Sequence, residues 1–256
     1  MDEIQAARSV TWVAREQFLR VGYLRILDVD VVLDIGPGIQ PQRYIAPPIH
    51  ICIEPHLPYI EYLKKHPVFG KDPRYIFLNA PWEAAAGLFP SKSVDTIFAL
   101  DVIEHWEKEA GLRFIQEAER IARRQIVILT PLGFYPQSCR AAGEPDIWGM
   151  DGGRWQAHHS GWLPEDFSEE WEIIGCDSFH LVDEYRRPLE KPHGAFWAIR
   201  TLQKNGKNRY LSHLAFGWAK NRLRRTLPPE TYRRVGTWYN RLLGRPLPGS
   251  DTPDLT

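Results

Sequence analysis

The sequence predicts an α/β protein: a mainly parallel sheet of seven strands whose last strand runs antiparallel, preceded by an N-terminal helix and followed by a basic helical extension. Three observations predict it. Short β-branched runs alternate with amphipathic helical patterns between residues 31 and 130, as βαβ units and a parallel sheet require. The last two strand patterns, at 171–175 and 195–202, have no helix between them, whereas parallel partners would need a crossover. The run Val-Val-Leu-Asp-Ile-Gly-Pro-Gly at 31–38 carries a buried strand into a glycine turn, where open α/β sheets bind nucleotide-type ligands.

The elements follow in order. Ile4, Val10, Val13, Phe18, Val21 and Leu24 recur at roughly helical spacing, so residues 1–29 read as an N-terminal helical segment with its helix over 2–27. Strands are expected at 31–35, 50–54, 74–78, 94–100 and 125–130, and helices at 58–66, 82–88 and 104–123. Pro164 followed by Glu165 and Asp166 marks a short helix start. The sheet domain thus spans 30–202. In the extension, 203–256, helices are expected at 210–227 and 230–243, broken by Pro228-Pro229.

Composition narrows the function classes. The 256 residues are 43% hydrophobic and 25% charged, with 32 basic and 32 acidic residues, so the chain as a whole is no polyanion binder. Cys52, Cys139 and Cys176 are odd in number and form no Cys-x-x-Cys pair. With no signal-peptide pattern and no spanning apolar run, the expected setting is reduced and cytoplasmic. Residues 200–245 are the exception, with twelve Lys or Arg against the single acid Glu230. Three readings of that stretch stay open: a solvated helical cap, peripheral contact of 203–245 with anionic membrane at the inner surface, and nucleic-acid binding, the least favoured because no RNA-binding module is visible.

The candidate site gathers at the strand ends. Gly36 and Gly38, with Pro37 between them, let backbone approach a ligand where a Cβ would collide. Glu54 ends the second strand, followed by Pro55, and its carboxylate can accept both hydroxyls of a ribose. The fourth strand runs into Leu100-Asp101-Val102-Ile103-Glu104-His105.

Taken together, Asp34-x-Gly36-x-Gly38, Glu54 and Asp101-Val-Ile-Glu104-His105 resemble the class I S-adenosylmethionine-dependent methyltransferases, which are Rossmann-like, over roughly residues 30–202. Within that class the chain is similar to the small-molecule branch that includes quinone-biosynthesis enzymes. The resemblance implies S-adenosyl-L-methionine as cofactor. Asp34 would hold its ammonium directly or through water, Glu54 its ribose, and Asn79, Ala80 and Trp82 its adenine, with Leu100 and Asp101 completing the pocket. Two departures stand out: the family's third glycine is absent, and Pro41, Pro47 and Pro48 shorten or distort the following helix.

Methyl transfer to an alcohol needs an in-line hydroxyl and a proton acceptor. His105 is one candidate, and His158 and His159 are the others. On a helical turn Asp101, Glu104 and His105 would share a face, and some quinone O-methyltransferases resemble this in placing a divalent cation there. Cofactor duty for Asp101 is the preferred reading, so no metal ligand is assigned. The segment 148–167, with Trp155, Trp162 and both histidines, suits a carbohydrate acceptor, whose C–H faces pack on aromatic rings. Its His158-x-Ser160-Gly161-Trp162 run resembles bacterial methyltransferases of surface-polysaccharide assembly.

The expected function is therefore O-methylation of a sugar, glycan or lipid-linked glycan. A quinone, phenol or other small-molecule methyltransferase is the alternative enzyme. A non-catalytic nucleoside-binding domain with a membrane or protein partner is the other alternative. A dehydrogenase is disfavoured by the missing glycine and the antiparallel ending.

Overall fold

The computed structural model describes residues 9–138, 145–146 and 148–203. In chain order its elements are β1 Val10–Trp12, α1 Arg15–Tyr23, β2 Val31–Ile35, β3 Ile49–Glu54, α2 Leu57–Lys65, β4 Tyr75–Asn79, α3 Trp82–Ala86, β5 Val94–Leu100, α4 Lys108–Ile121, β6 Ala122–Pro131, β7 Glu172–Val182 and β8 Pro188–Thr201. One sheet holds all eight strands in the order β1-β7-β8-β6-β5-β2-β3-β4. Every pairing is parallel except the two made by β8, which lies antiparallel between β6 and β7. This is a Rossmann-like sheet, and the strand order reverses at β2, whose neighbours are β3 and β5.

The continuous apolar strands are explained by burial on both faces. Leu33, Ile35, Ile97, Ala99, Ile126 and Ile128 point to one side and join Phe114 and Ala118 of α4. Their alternate neighbours Val32, Phe98, Val127 and Leu129 join Phe18 of α1 and Trp197 of β8 on the other. Alternation of this kind lets a strand with no polar residue still assign each side chain to one layer.

Two expectations are corrected. Among the described residues the sheet has eight strands rather than seven, because residues 10–12 form an edge strand ahead of the helix Arg15–Tyr23. Val10, Thr11 and Trp12 are β-formers facing the open edge of β7, and the Trp12 ring lies where a Cβ on Gly175 would sit. The second correction concerns 104–123. Residues 103–105 make a single 3₁₀ turn, and the α-helix starts only at Lys108. The expected helix start at 164–166 is likewise a 3₁₀ turn. The terminal pair is a long hairpin whose turn is tied by Asp183, which accepts from the Tyr185 and Arg187 amides at 2.9 Å each. No helix among the described residues is long and apolar enough to cross a membrane. The helices expected at 210–227 and 230–243 lie outside the described residues.

Asp95 ties the far end of the sheet together. Its carboxylate accepts from the Asp30 and Val31 amides (3.2 and 3.0 Å) and from Arg123 (2.6 Å). Burial alone would raise this carboxyl, but the Arg123 guanidinium and the two amides outweigh it and hold it below the usual range. Asp95→Ala is expected to cost about 1–3 kcal/mol in urea unfolding, because two amides lose their acceptor. Since the folded-state carboxyl titrates low, the wild-type advantage is present above the ordinary carboxylate range and fades as pH falls through it. An unchanged midpoint at pH 7 would count against this account.

Candidate functional site

A cleft of about 920 Å³ opens at the carboxyl ends of β2, β3, β5 and β6. Gly36, Pro37, Gly38, Glu54, Pro55, Trp82, Leu100, Asp101, Glu104, His105, His158 and His159 all line it. Twelve of the expected residues are therefore brought to one cavity from five separate stretches of chain.

At the glycine turn, Gly36 and Gly38 have φ of +61° and +54°, the left-handed region that favours glycine. Glu54 reaches across from β3. Its Oε2 accepts from the Gly38 amide at 3.1 Å and its Oε1 from the His56 amide at 2.9 Å. Burial pushes this carboxyl up to about 7, against the opposing pull of the His56 and Gly38 amides. The Trp148 ring covers Gly38 so closely that a Cβ there would collide with it, and it meets the Tyr59 ring edge-on at 5.1 Å. Tyr59 in turn donates its hydroxyl to Asp146.

Three expected cofactor contacts are placed elsewhere. Asp34 is 2% exposed and does not line the cleft. Its Oδ2 accepts from the Gln42 amide at 2.8 Å and pairs with His50 Nε2 at 3.0 Å, so it fastens the segment after the glycine turn. That segment, 39–48, contains no helix at all, where a short or distorted one was expected. Asn79 turns away to donate to the Glu54 and Pro55 carbonyls, at 2.9 Å each. Ala80 is also absent from the lining, and its amide donates to the Glu54 carbonyl at 3.2 Å. Both hold the end of β3 in place. Trp82 does line the cleft, yet is 7% exposed and packs edge-on against Phe114.

The other end of the cleft is built on the strand-end turn. Asp101 has φ of +53°, a left-handed conformation that Asp tolerates, and its amide donates to Leu129 of β6 at 2.9 Å. The protein packed around it pushes its carboxyl up to about 6. Glu104 is buried, and this burial, reinforced by the nearby Asp101 charge, drives its carboxyl well above the usual range. The Glu104 carbonyl accepts from the His159 and Ser160 amides (2.8 and 3.1 Å), so the histidine loop is sewn onto the turn. His105 and His158 meet with ring centroids 4.7 Å apart. Burial lowers both, His158 to about 4, so both rings are neutral at pH 7. His159 is about half exposed, with Nδ1 3.7 Å from Glu107.

Trp162 does not supply the expected carbohydrate surface. It is fully buried, donating to the Ile103 carbonyl at 3.2 Å and the Ser160 hydroxyl at 3.0 Å. Besides Trp82 and Trp106, the cleft aromatics are Trp148, Trp155, Tyr44, Tyr59 and Tyr135. Tyr135 stacks on His180 and His193 of the terminal hairpin (5.0 and 4.7 Å), and His180 lines the cleft as well. Tyr44, Tyr59, Tyr135 and His180 carried no local signal. Each arrives through topology.

No family model matches the chain, and no curated protein matches it. Among solved structures it is similar to an S-adenosylmethionine-dependent methyltransferase from Archaeoglobus fulgidus, with 13% identity over 72% of this chain and 90% of that one, TM-score 0.44. It is also similar to magnesium protoporphyrin IX methyltransferase from Synechocystis, solved with bound S-adenosylmethionine, with 13% identity over 72% and 83%, TM-score 0.40. A third is a cyclopropane synthase from Mycobacterium tuberculosis, with 20% identity over 46% and 42%, TM-score 0.37.

Proposed function

We propose that the chain is an S-adenosylmethionine-dependent methyltransferase that moves the methyl group to a hydroxyl of a sugar, glycan or lipid-linked glycan. The observation that carries the reading is Glu54: a carboxylate at the end of β3, facing the cleft and bonded to the glycine turn where the strand order reverses. That is where a ribose is recognised in open α/β sheets. The antiparallel β8 between β6 and β7 argues for a methyltransferase sheet over a dehydrogenase sheet, which continues in parallel.

The acceptor end supports a hydroxyl substrate. Trp155 and Tyr135 offer apolar faces and Gln137 and Gln156 line the same cavity with amides, a mixture suited to sugar C–H faces and hydroxyls. S-adenosylmethionine, held by Glu54 and the glycine turn, would supply an electrophilic methyl group to the acceptor oxygen and would depart as the neutral thioether. The hydroxyl proton passes to an imidazole of the cluster formed by His105, His158 and His159.

Purified full-length protein, given labelled S-adenosylmethionine with oligosaccharide, quinone or phenol acceptors, is expected to label the oligosaccharide. In calorimetry S-adenosylhomocysteine should bind and NAD should not. Tighter binding of NAD would sink the reading. Among alanine variants of the three histidines, the base should lose turnover by about a hundredfold or more while keeping cofactor affinity.

A further inference from the structure

Asp34, His50 and Cys52 each bring a ligand atom to one point against the face of the sheet, the three atoms lying within 4.8 Å of one another. Strand pairing puts them there. His50 and Cys52 stand two residues apart on β3, so both side chains leave the same face, and Cys52 is the register partner of Asp34 on β2. No more than 2% of any of the three is exposed, and none of them lines the cleft.

Neighbours hold each ligand in place. The Tyr75 ring of β4 stacks on His50 at 4.6 Å, and the Gln42 amide donates to Asp34 Oδ2 at 2.8 Å. Asp34 Oδ2 and His50 Nε2 are 3.0 Å apart, near the ~3.3 Å that two ligands take around a tetrahedral ion with bonds of about 2.0 Å. Cys52 forms no disulfide. Burial, reinforced by the Asp34 and Glu54 charges, drives its thiol far up. Both carboxylates are buried, and among the described residues neither is paired with Lys or Arg. An acid, an imidazole and a thiol taken together out of water are costly, and a shared cation offsets that cost.

The fold also gives such an ion a task. Segment 39–48 follows the glycine turn without forming a helix, and Pro41, Pro47 and Pro48 have no N–H to donate. The Gln42 amide on Asp34 ties this coil to the sheet. Fixing Asp34 therefore fixes the coil and the turn before it.

We propose that Asp34, His50 and Cys52 bind a structural Zn²⁺ beneath the glycine turn. A thiolate and an imidazole select such an ion over Mg²⁺ or Ca²⁺, which prefer all-oxygen sets. Three protein ligands leave the fourth tetrahedral position to a water. On binding, the thiol releases its proton to solvent, and the proton joining His50 to Asp34 passes to the other ring nitrogen, because a metal takes its ligands deprotonated. The ion lies outside the cleft, so it braces the turn and touches no acceptor. The inference does not rest on the methyl donor.

Full-length protein should be refolded from urea with and without Zn²⁺, since a buried site fills as the chain folds. After dialysis it is expected to keep about one ion per chain by plasma emission, with a raised urea midpoint. Refolded with Co²⁺, it should show the near-ultraviolet absorption of a thiolate–cobalt bond. Cys52→Ser and His50→Gln should each weaken metal binding by at least about tenfold and abolish the Zn²⁺-dependent rise in midpoint. His158→Ala should keep both. Cys52→Ala is the second variant, with circular dichroism to show that each protein folds. Wild-type protein that keeps no metal, cobalt bound without the thiolate band, metal retained in a folded Cys52 variant, or metal lost in His158→Ala would overturn the proposal. Because no methyl donor is present, failure here leaves the methyltransferase reading standing, and failed methyl transfer leaves the zinc site standing.

Discussion

Replacing Glu54 with alanine is expected to weaken S-adenosylhomocysteine binding by about a hundredfold, the largest single effect at the cofactor end. Hydrogen bonds to a charged group contribute about 1.5–3 kcal/mol each. Loss of a bidentate grip on a ribose diol therefore removes about 3 kcal/mol, which is two orders of magnitude in Kd. The same substitution strips the acceptor from the Gly38 and His56 amides, so the glycine turn loses its brace as well. The pH dependence separates this from a purely structural role. In the free protein the carboxyl sits at about 7, raised by burial. Only the ionised form accepts from both ribose hydroxyls at once, so the complex titrates lower and binding releases a proton when pH is below 7. Affinity should be level above pH 8 and fall by up to tenfold per unit below 7. Glu54→Ala should flatten that slope. Calorimetry from pH 6 to 8 reads both; a level wild-type profile, or a loss under about threefold in a folded alanine variant, would remove Glu54 from the ribose site.

What made this end of the molecule legible was local. Residues 31–38 hold a strand, a glycine turn and an acid within one stretch, and Glu54 follows at the end of the next strand, so periodicity and punctuation sufficed. Asp34 shows where that reasoning stops. Its identity was plain, yet its partner His50 sits on a neighbouring strand, opposite Val32 and so two residues from it in register, and Gln42 lies in a loop with no repeating pattern. An acid before a glycine turn reads the same whether it faces the ligand or fastens the turn. The edge strand at 10–12 was hidden for a similar reason: Val10, Val13 and Phe18 fit a helical stripe, and only the open edge of β7 decides otherwise. Tyr135 and His180 lie far apart in sequence, and the terminal hairpin stacks them at 5.0 Å. Spacing carries no trace of such a contact.

The second large effect is expected at Trp162, whose removal tests whether the His158–Trp162 run is a recognition surface or a fastening. Trp162→Ala should cost about 3–5 kcal/mol in urea unfolding, the range for emptying a buried aromatic site. A sugar platform would lose binding with little change in stability. The ring is held on three sides: Nε1 donates to Ile103 and Ser160, Lys108 Nζ lies 3.9 Å from the ring centroid, and Gly111 of α4 packs so closely that a Cβ there would strike the ring. That last contact gives a sharper test. Alanine in a helix is normally better than glycine by about 1 kcal/mol, but overpacking at Gly111 should cost about 1–3 kcal/mol. Gly111→Ala alone should therefore destabilise or at best break even. In the Trp162→Ala background the same alanine gains its helical preference and fills part of the hole. The double variant should then be more stable than the sum of the singles by over about 0.5 kcal/mol. Additivity within that margin would mean the two sites do not share the packing described. Because the Ser160 and His159 amides close onto Glu104, loosening Trp162 also releases the loop that delivers His158. Loss of activity in this variant should track loss of order at the cluster rather than loss of a contact to the acceptor.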